Sequence, residues 1–85
     1  MDDILKALES VRDVGLMVGP TWDAAHEVAQ SREGEAAYDR LHAFLHRLEG
    51  DQSNAGYWYR RSGEPLFRGD LAAECDLLIE RHRNP

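Results

Sequence analysis

The sequence contains a single cysteine, Cys75, and no apolar run that approaches the length of a membrane span. One cysteine cannot form a disulfide within the chain, and small domains without disulfides are typical of reducing compartments. The first residues, Met1 to Asp3, are acidic, whereas a secretory signal peptide begins with basic residues. These absences predict a soluble cytoplasmic protein that does not associate with membranes.

The chain is also too short to build a large hydrophobic core. Its 85 residues leave space for one core, so we expect a single domain over residues 1–85. A domain of this size buries only about two-thirds of the surface that its unfolded chain exposes, so its stability margin is thin. Without disulfides, such domains often gain stability from a metal ion or a partner subunit. We therefore expect a homo-oligomer or a complex with a protein partner.

Positive charge is scarce, since ten Lys and Arg residues against sixteen Asp and Glu residues give a net charge of −6. Affinity for phosphate backbones comes mainly from Lys and Arg, so we expect no nucleic-acid binding. The charge is unevenly spread: residues 40–68 hold five arginines against three acids, whereas residues 1–39 hold three basic and nine acidic side chains. The basic middle favours an anionic ligand or an acidic partner segment, although the acidic N-terminal part can supply the same pairing.

Apolar residues recur with the period of a helix along most of the chain, and the alternation typical of strands is absent. This periodicity predicts an all-α fold, a compact domain of about five helices. Their expected ranges are roughly 3–14, 22–30, 35–49, 52–62 and 71 onward, with Asp2 or Asp3, Thr21, Asp51 and Asp70 as N-caps. In the last connection, Leu66 and Phe67 are expected to pack back on the core.

The shortest connection, Gly50-Asp51, joins the third and fourth predicted helices. So short a turn forces these helices to pack antiparallel, as the central hairpin of the domain. Together with Ala55, Tyr59 and Ser62, this turn resembles a tetratricopeptide-type helical hairpin over residues 41–65. In that hairpin, small residues let the helices approach closely and an aromatic ring fills the groove between them. A single hairpin implies no peptide-binding function, because solenoids need several repeats.

A longer stretch resembles a family of short bacterial and fungal proteins that has no assigned biochemical activity. The resemblance covers roughly residues 22–65. It is carried by Trp22, Ala25-His26, residues 41–47, Glu49-Gly50-Asp51, Asn54-Ala55 and Tyr57-Trp58-Tyr59-Arg60-Arg61. What the resemblance implies is kinship, and no mechanism comes with it.

The third predicted helix carries a polar row, Asp39, His42, His46 and Glu49, at spacings of three, four and three. These spacings place the row along one face of the helix and echo the carboxylate–histidine pairs of helical-bundle metal proteins. Two histidines one turn apart can bind one divalent metal ion, with Glu49 as a further ligand. The remaining ligand is expected on the second helix, from His26 or Glu27. The alternative is structural: both histidines border the apolar stripe and are held by Asp39, Glu49 or backbone carbonyls.

A ligand pocket is the second candidate site. His26 lies at the edge of an apolar helix face that includes Trp22, and we expect it to meet the third-helix histidines under a roof formed by Trp22 or Trp58. Arg61 lies on the flank of the helix that carries Trp58, so His26, Trp22, Trp58 and Arg61 are the candidate ligand-binding residues. In the alternative interpretation His26 is a border histidine, Trp58 belongs to the core, and the arginines pair with acidic residues of neighbouring helices.

Signals for catalysis are missing. No serine, cysteine or lysine lies in a recognisable nucleophile context, no glycine-rich phosphate loop is present, and Cys75 lies on an apolar stripe where an inert buried thiol is expected. The favoured hypothesis is a non-catalytic binding or assembly module. The alternative is a metal or small-ligand site at His42, His46 and Glu49 with His26, and a divalent metal ion is then the only cofactor indicated. The third hypothesis is an enzyme that uses these histidines as acid and base.

Overall fold

The computed structural model describes residues 2–85, which form five α-helices and no strand. Helix α1 spans Asp3–Asp13, α2 Pro20–Ser31, α3 Ala36–Glu49, α4 Gln52–Ser62 and α5 Leu71–Arg83. The described residues pack into one body with a Cα radius of gyration of 11.3 Å. The predicted all-α domain of five helices is therefore confirmed. Within residues 2–85, no helix is long and apolar enough to cross a membrane.

Three of the helices begin at an aspartate whose carboxylate caps the first turn. The side chain of Asp2 accepts a hydrogen bond from the backbone amide of Leu5, and Asp51 and Asp70 make the same contact three residues ahead. Such caps satisfy amide groups that have no partner inside the helix. The caps expected at Asp51 and Asp70 are confirmed, and Asp2 rather than Asp3 caps α1.

The start of α2 differs from the prediction. Gly19 is its N-cap, Pro20 is its first residue and Thr21 lies inside the first turn. Proline is favoured at the first helical position because its φ angle suits a helix and the amide hydrogen that it lacks has no helical partner there. The prediction of Thr21 as the N-cap was therefore wrong, because the preference of proline for this position outweighs a threonine cap.

The connection from α4 to α5 packs on the core only in part. Phe67 packs against the buried cluster formed by α3 and α4, as predicted. Leu66 is 55% exposed, so the prediction that it packs back on the core was wrong. Successive side chains of an extended segment point to opposite sides, and only one of these two can face the protein.

Helix α3 lies at the centre of the domain and contacts all four other helices. One side of it joins α1, α2 and α5 in the main core, around Leu8, Val11, Phe44 and Leu45. Its other side packs on α4, where Ala43 and Ala55 are fully buried. Every residue from 39 to 46 is consequently buried, including the polar ones.

The hairpin of α3 and α4 is confirmed. Gly50 ends α3 in the left-handed conformation, with φ +90°, and its amide and that of Asp51 bond back to the last turn of α3. Glycine adopts this conformation without the steric cost that a side chain brings. Asp51 caps α4 directly afterwards, so the chain reverses over two residues.

Cys75 on α5 is fully buried and its thiol approaches the carbonyl oxygen of Leu8. Burial raises the pKa of the thiol to about 11. The thiol therefore stays protonated near neutral pH and is a poor nucleophile, which agrees with the expected inert core position.

Candidate metal centre

Three histidines meet where α2 packs against α3. His26 comes from α2, and His42 and His46 come from successive turns of α3. The Nε2 atoms of His26 and His42 are 3.0 Å apart, within hydrogen-bond distance. The ring centroid of His46 lies 4.8 Å from that of His42 and 5.2 Å from that of His26. One ring nitrogen from each histidine lies within 4.8 Å of the other two. We call these three residues the histidine cluster.

Two tryptophans pack against the histidine cluster from different helices. Trp22 stacks on the ring of His26 at a centroid distance of 4.8 Å, and its Nε1 donates a hydrogen bond of 2.8 Å to the carbonyl oxygen of Leu45. Trp58 of α4 stacks on His42 at 3.8 Å. Both tryptophans thus contact histidines of the cluster, which the sequence analysis expected to lie under Trp22 or Trp58. The short Trp58–His42 separation leaves no space for a ligand between those two rings.

Arg61 lies outside this cluster, on the far side of Trp58. Its guanidinium carbon is 5.1 Å from the centre of the Trp58 ring, and its Nη1 donates to the hydroxyl of Tyr57. Its Nε lies 3.9 Å from a carboxylate oxygen of Asp39. Through these contacts Arg61 packs over the Trp58 ring. The sequence analysis instead listed Arg61 among the candidate ligand-binding residues.

Each α3 histidine has a carboxylate three residues away on the same helix. The Nδ1 atom of His46 is 2.5 Å from a carboxylate oxygen of Glu49. Glu49 therefore lies behind His46. The group of three ring nitrogens consists of His26, His42 and His46, and Glu49 does not belong to it. Glu27, the other candidate on α2, is exposed.

The pair of Asp39 and His42 is less complete. One oxygen of Asp39 accepts a hydrogen bond from the amide of Gly34, while its Oδ2 atom has no hydrogen-bond partner among the described residues. The Nδ1 atom of His42 also has none. Buried polar groups are usually satisfied, so these two atoms on neighbouring turns of α3 are exceptions.

The surroundings lower the pKa values of His26 and His42. Burial lowers the pKa of His42 from 6.5 to about 4, and the nearby charges of His26, His46 and Arg61 act in the same direction. Burial also lowers the pKa of His26, with His46 as the next cause. A neutral imidazole offers a lone pair on one ring nitrogen, the form in which histidine binds metals.

The spacing of the ring nitrogens is close to that of a metal site. Zinc–nitrogen bonds of about 2.0–2.1 Å in a tetrahedral site place the ligand nitrogens about 3.3 Å apart. The His26–His42 distance of 3.0 Å is slightly below this value, and the three nitrogens all lie within 4.8 Å of one another. A common metal position requires the rings to turn, and the stacking of Trp22 and Trp58 limits how far the rings of His26 and His42 can do so.

No protein-family model, no curated protein and no solved structure matches this chain. The resemblances of residues 22–65 and 41–65 described above therefore stay predictions. The sequence analysis named the three histidines that the structure brings together and expected Trp22 or Trp58 over them, but it missed the hydrogen bond from Trp22 to the α3 backbone. That contact joins separate helices, so it leaves no signal in the residue spacing.

Proposed function

We propose that this protein is a non-catalytic binding domain that holds one divalent transition-metal ion through His26, His42 and His46. The observation that supports the proposal is the approach of three ring nitrogens, from two helices, to within 4.8 Å of one another. The lowered pKa values of His26 and His42 and the packing of two tryptophans against the cluster suit the same role. The ligands come from helices, which hold side chains in more closely defined positions than loops do.

The donor set selects the class of metal. Imidazole nitrogens suit zinc, copper, nickel and cobalt, whereas magnesium and calcium prefer oxygen ligands. Three protein ligands leave a fourth position for water or another small ligand, as in open zinc sites.

Two carboxylates fit the role of orienting the ligands. Histidines that bind a metal through one ring nitrogen usually donate a hydrogen bond from the other. The bond between His46 Nδ1 and Glu49 leaves Nε2 of His46 for the metal. If His42 binds through Nε2, its Nδ1 hydrogen needs an acceptor. Asp39 Oδ2 on the same helix face is buried, makes no hydrogen bond within residues 2–85 and lies 3.9 Å from Arg61 Nε.

A structural role for the cluster is the competing explanation. Two neutral imidazoles at 3.0 Å share one hydrogen bond, with one ring as donor and the other as acceptor. Metal binding would replace that hydrogen bond with two metal–nitrogen bonds. The two explanations therefore differ in measured metal affinity and in the effect of removing His26.

The test is zinc binding to protein purified without a histidine tag and freed of metal with a chelator. Competition titration against a chromophoric chelator should give one zinc ion per chain. His26→Gln and His42→Gln should each lower affinity by more than about a hundredfold, because the loss of even an orienting partner costs about 10–100-fold. His82→Gln is the matched control, since His82 lies on α5 and pairs with Asp2.

Cobalt gives a second reading of the same site. A tetrahedral cobalt complex with nitrogen ligands has visible absorption bands that hexa-aqua cobalt lacks, and these should disappear in His26→Gln and persist in His82→Gln. Absence of stoichiometric zinc binding, or equal affinity in wild type and both cluster variants, would contradict the proposal. The histidines would then be hydrogen-bonded structural residues.

Self-association is the second candidate function, and the connection between α1 and α2 favours it. Val14, Met17 and Val18 in this segment are 45%, 64% and 57% exposed. Exposed apolar residues that are close together in the chain often mark a contact with another protein. Sedimentation equilibrium of wild type and of a Met17→Ser/Val18→Ser double variant tests this. A dimer that the double variant weakens supports the candidate, and a monomeric wild type at high concentration contradicts it.

A further inference from the structure

A groove of about 520 Å³ runs between α1 and α2. Ala7 of α1 and Ala24, Ala25 and Val28 of α2 give it apolar walls. Its lining residues recur every three or four positions along both helices, so the groove follows the two helices for about two turns. A groove of this shape between two helices accepts the side of a third helix.

Acidic side chains outnumber basic ones around this groove. Asp3 and Lys6 belong to its wall, and Asp23 and Glu27 lie one turn apart at exposed positions of α2. Each of these two acids directly precedes a wall residue in the chain. Neither forms an ion pair within residues 2–85. The groove therefore suits a partner surface that carries positive charge.

Such a surface is exposed on α4, which contacts α3 alone among the described helices. Arg60 is exposed and has no ion pair in the described chain, and Tyr57, one turn earlier, is 44% exposed. Gly56 lies beside them, and a side chain there would meet only that of Arg60. A glycine inside a helix costs about 1 kcal/mol relative to alanine, but it lets another helix come close. We call Gly56, Tyr57 and Arg60 the α4 face.

The groove and the α4 face do not meet within one chain. In the described structure α4 makes no contact with α1 or α2. The buried arginines of the basic middle, Arg40 and Arg47, pair with Glu64 and Glu74 instead of the acidic N-terminal part. The exposed charges of the two regions are thus left to pair between molecules. Helix α4 has 11 residues, about three turns, which is long enough to cover the two turns of the groove.

We propose that the protein self-associates head to tail, with the α4 face of one copy packed into the α1–α2 groove of another. Tyr57 then contacts the apolar walls and Arg60 meets Asp23 and Glu27, and tyrosine and arginine are the residue types that often dominate interface energies. Because the two surfaces differ, the contact repeats from copy to copy and gives a ring or an open chain. The proposal rests on self-association, the second candidate function, but it assigns that function to other surfaces and needs no metal ion.

Two variants block one surface each. Ala24→Arg places bulk and a positive charge in the groove at an exposed residue. Tyr57→Ala/Arg60→Ala removes the ring and the positive charge from the α4 face, and alanine suits a helix. Ala73→Arg is the matched control, because it makes the same substitution at an exposed alanine of α5, and no residue of α5 lines the groove.

The measurement is sedimentation equilibrium of metal-free protein at low salt over a range of concentrations. Wild type and Ala73→Arg should show a mass that rises with concentration above that of one chain, and added salt should weaken their association. Each blocked variant should associate at least tenfold more weakly. An equimolar mixture of the two blocked variants should form dimers, because each retains the surface that the other lacks, and these dimers would also show that both variants are folded.

A monomeric wild type, unchanged association of the blocked variants, or a mixture that stays monomeric would overturn the proposal. Association that is lost in Met17→Ser/Val18→Ser and unchanged in both blocked variants would also overturn it. That last result would leave self-association through the connection between α1 and α2 in place. The zinc titration is independent of all these results, because the sedimentation is carried out without metal.

Discussion

Acid should lower the free energy of unfolding of this protein, because His42 has a lower pKa in the folded state than in the unfolded chain. In the unfolded chain a histidine has a pKa near 6.5, whereas burial lowers that of His42 to about 4 in the folded protein. The unfolded state therefore binds a proton more readily than the folded state between these values. The stability that comes from a neutral His42 is fully present above pH 6.5, and it is lost as pH falls from 6.5 towards 4.

The size of the effect follows from the two pKa values. Between pH 7 and pH 4.5, preferential protonation of the unfolded state lowers the free energy of unfolding by about 2 kcal/mol. Domains of this kind have only about 5–15 kcal/mol in total, so the change is a large fraction of the stability. His26, whose pKa is also lowered by burial and by His46, adds in the same direction.

The comparison protein is His42→Phe, which keeps a flat ring against Trp58 and removes the titrating group. Urea unfolding of both proteins in a chelator, followed by tryptophan fluorescence, gives the free energy of unfolding at each pH. Acidic residues contribute to both proteins alike and cancel in the difference. Wild type should lose about 2 kcal/mol more than the variant between pH 7 and pH 4.5. Equal losses would refute the inference that burial holds His42 neutral.

Three further predictions concern the cluster and the fold. Glu49→Gln should weaken zinc binding by about 10–100-fold in a competition titration, because it weakens the hydrogen bond that orients His46. Unchanged zinc affinity would argue against an orienting role for Glu49. Glu74→Ala should lower the free energy of urea unfolding by about 3–5 kcal/mol, since it removes the fully buried carboxylate that Arg40 and Arg47 share. A change below about 1 kcal/mol would contradict the importance of these ion pairs. Gly50→Ala should destabilise the protein by about 1–2 kcal/mol, because Gly50 has a positive φ that alanine adopts only with strain. Gly56→Ala in the same assay should not destabilise the protein, because alanine is the better helix former. The added Cβ at residue 56 would meet only the Arg60 side chain, at an ordinary 3.5 Å.

Local chemistry accounts for most of what the sequence predicted correctly. Asp51 and Asp70 cap helices through contacts three residues ahead, and Gly50 ends α3 through its own backbone freedom. Interactions over so few residues depend little on the rest of the chain, which is why they can be read from spacing and residue type. The error at Thr21 has the same origin, because two local preferences competed at one helix start and proline prevailed.

The neighbourhood of the candidate site was predictable only in outline. Helical geometry places His42 and His46 one turn apart in any α-helix with this sequence. The packing of α2 and α4 against α3 decides the other contacts. It brings His26 to 3.0 Å from His42 and stacks Trp58 on the ring of His42. The angle and register of packed helices come from side chains distributed over the whole core, so no local spacing encodes them.

By itself, the sequence determined the five helices, most of their ends and the face on which each polar residue lies, because these depend on hydrogen bonds and spacings within a few residues. The tertiary structure alone decided which of those faces are buried. Helix α3 lies at the centre of the domain, so its histidines, Asp39 and Arg40 are out of solvent. Burial lowers the pKa values of His26 and His42 and encloses the guanidinium of Arg40. Desolvation has this effect because it depends on everything packed around a group rather than on its neighbours in the chain.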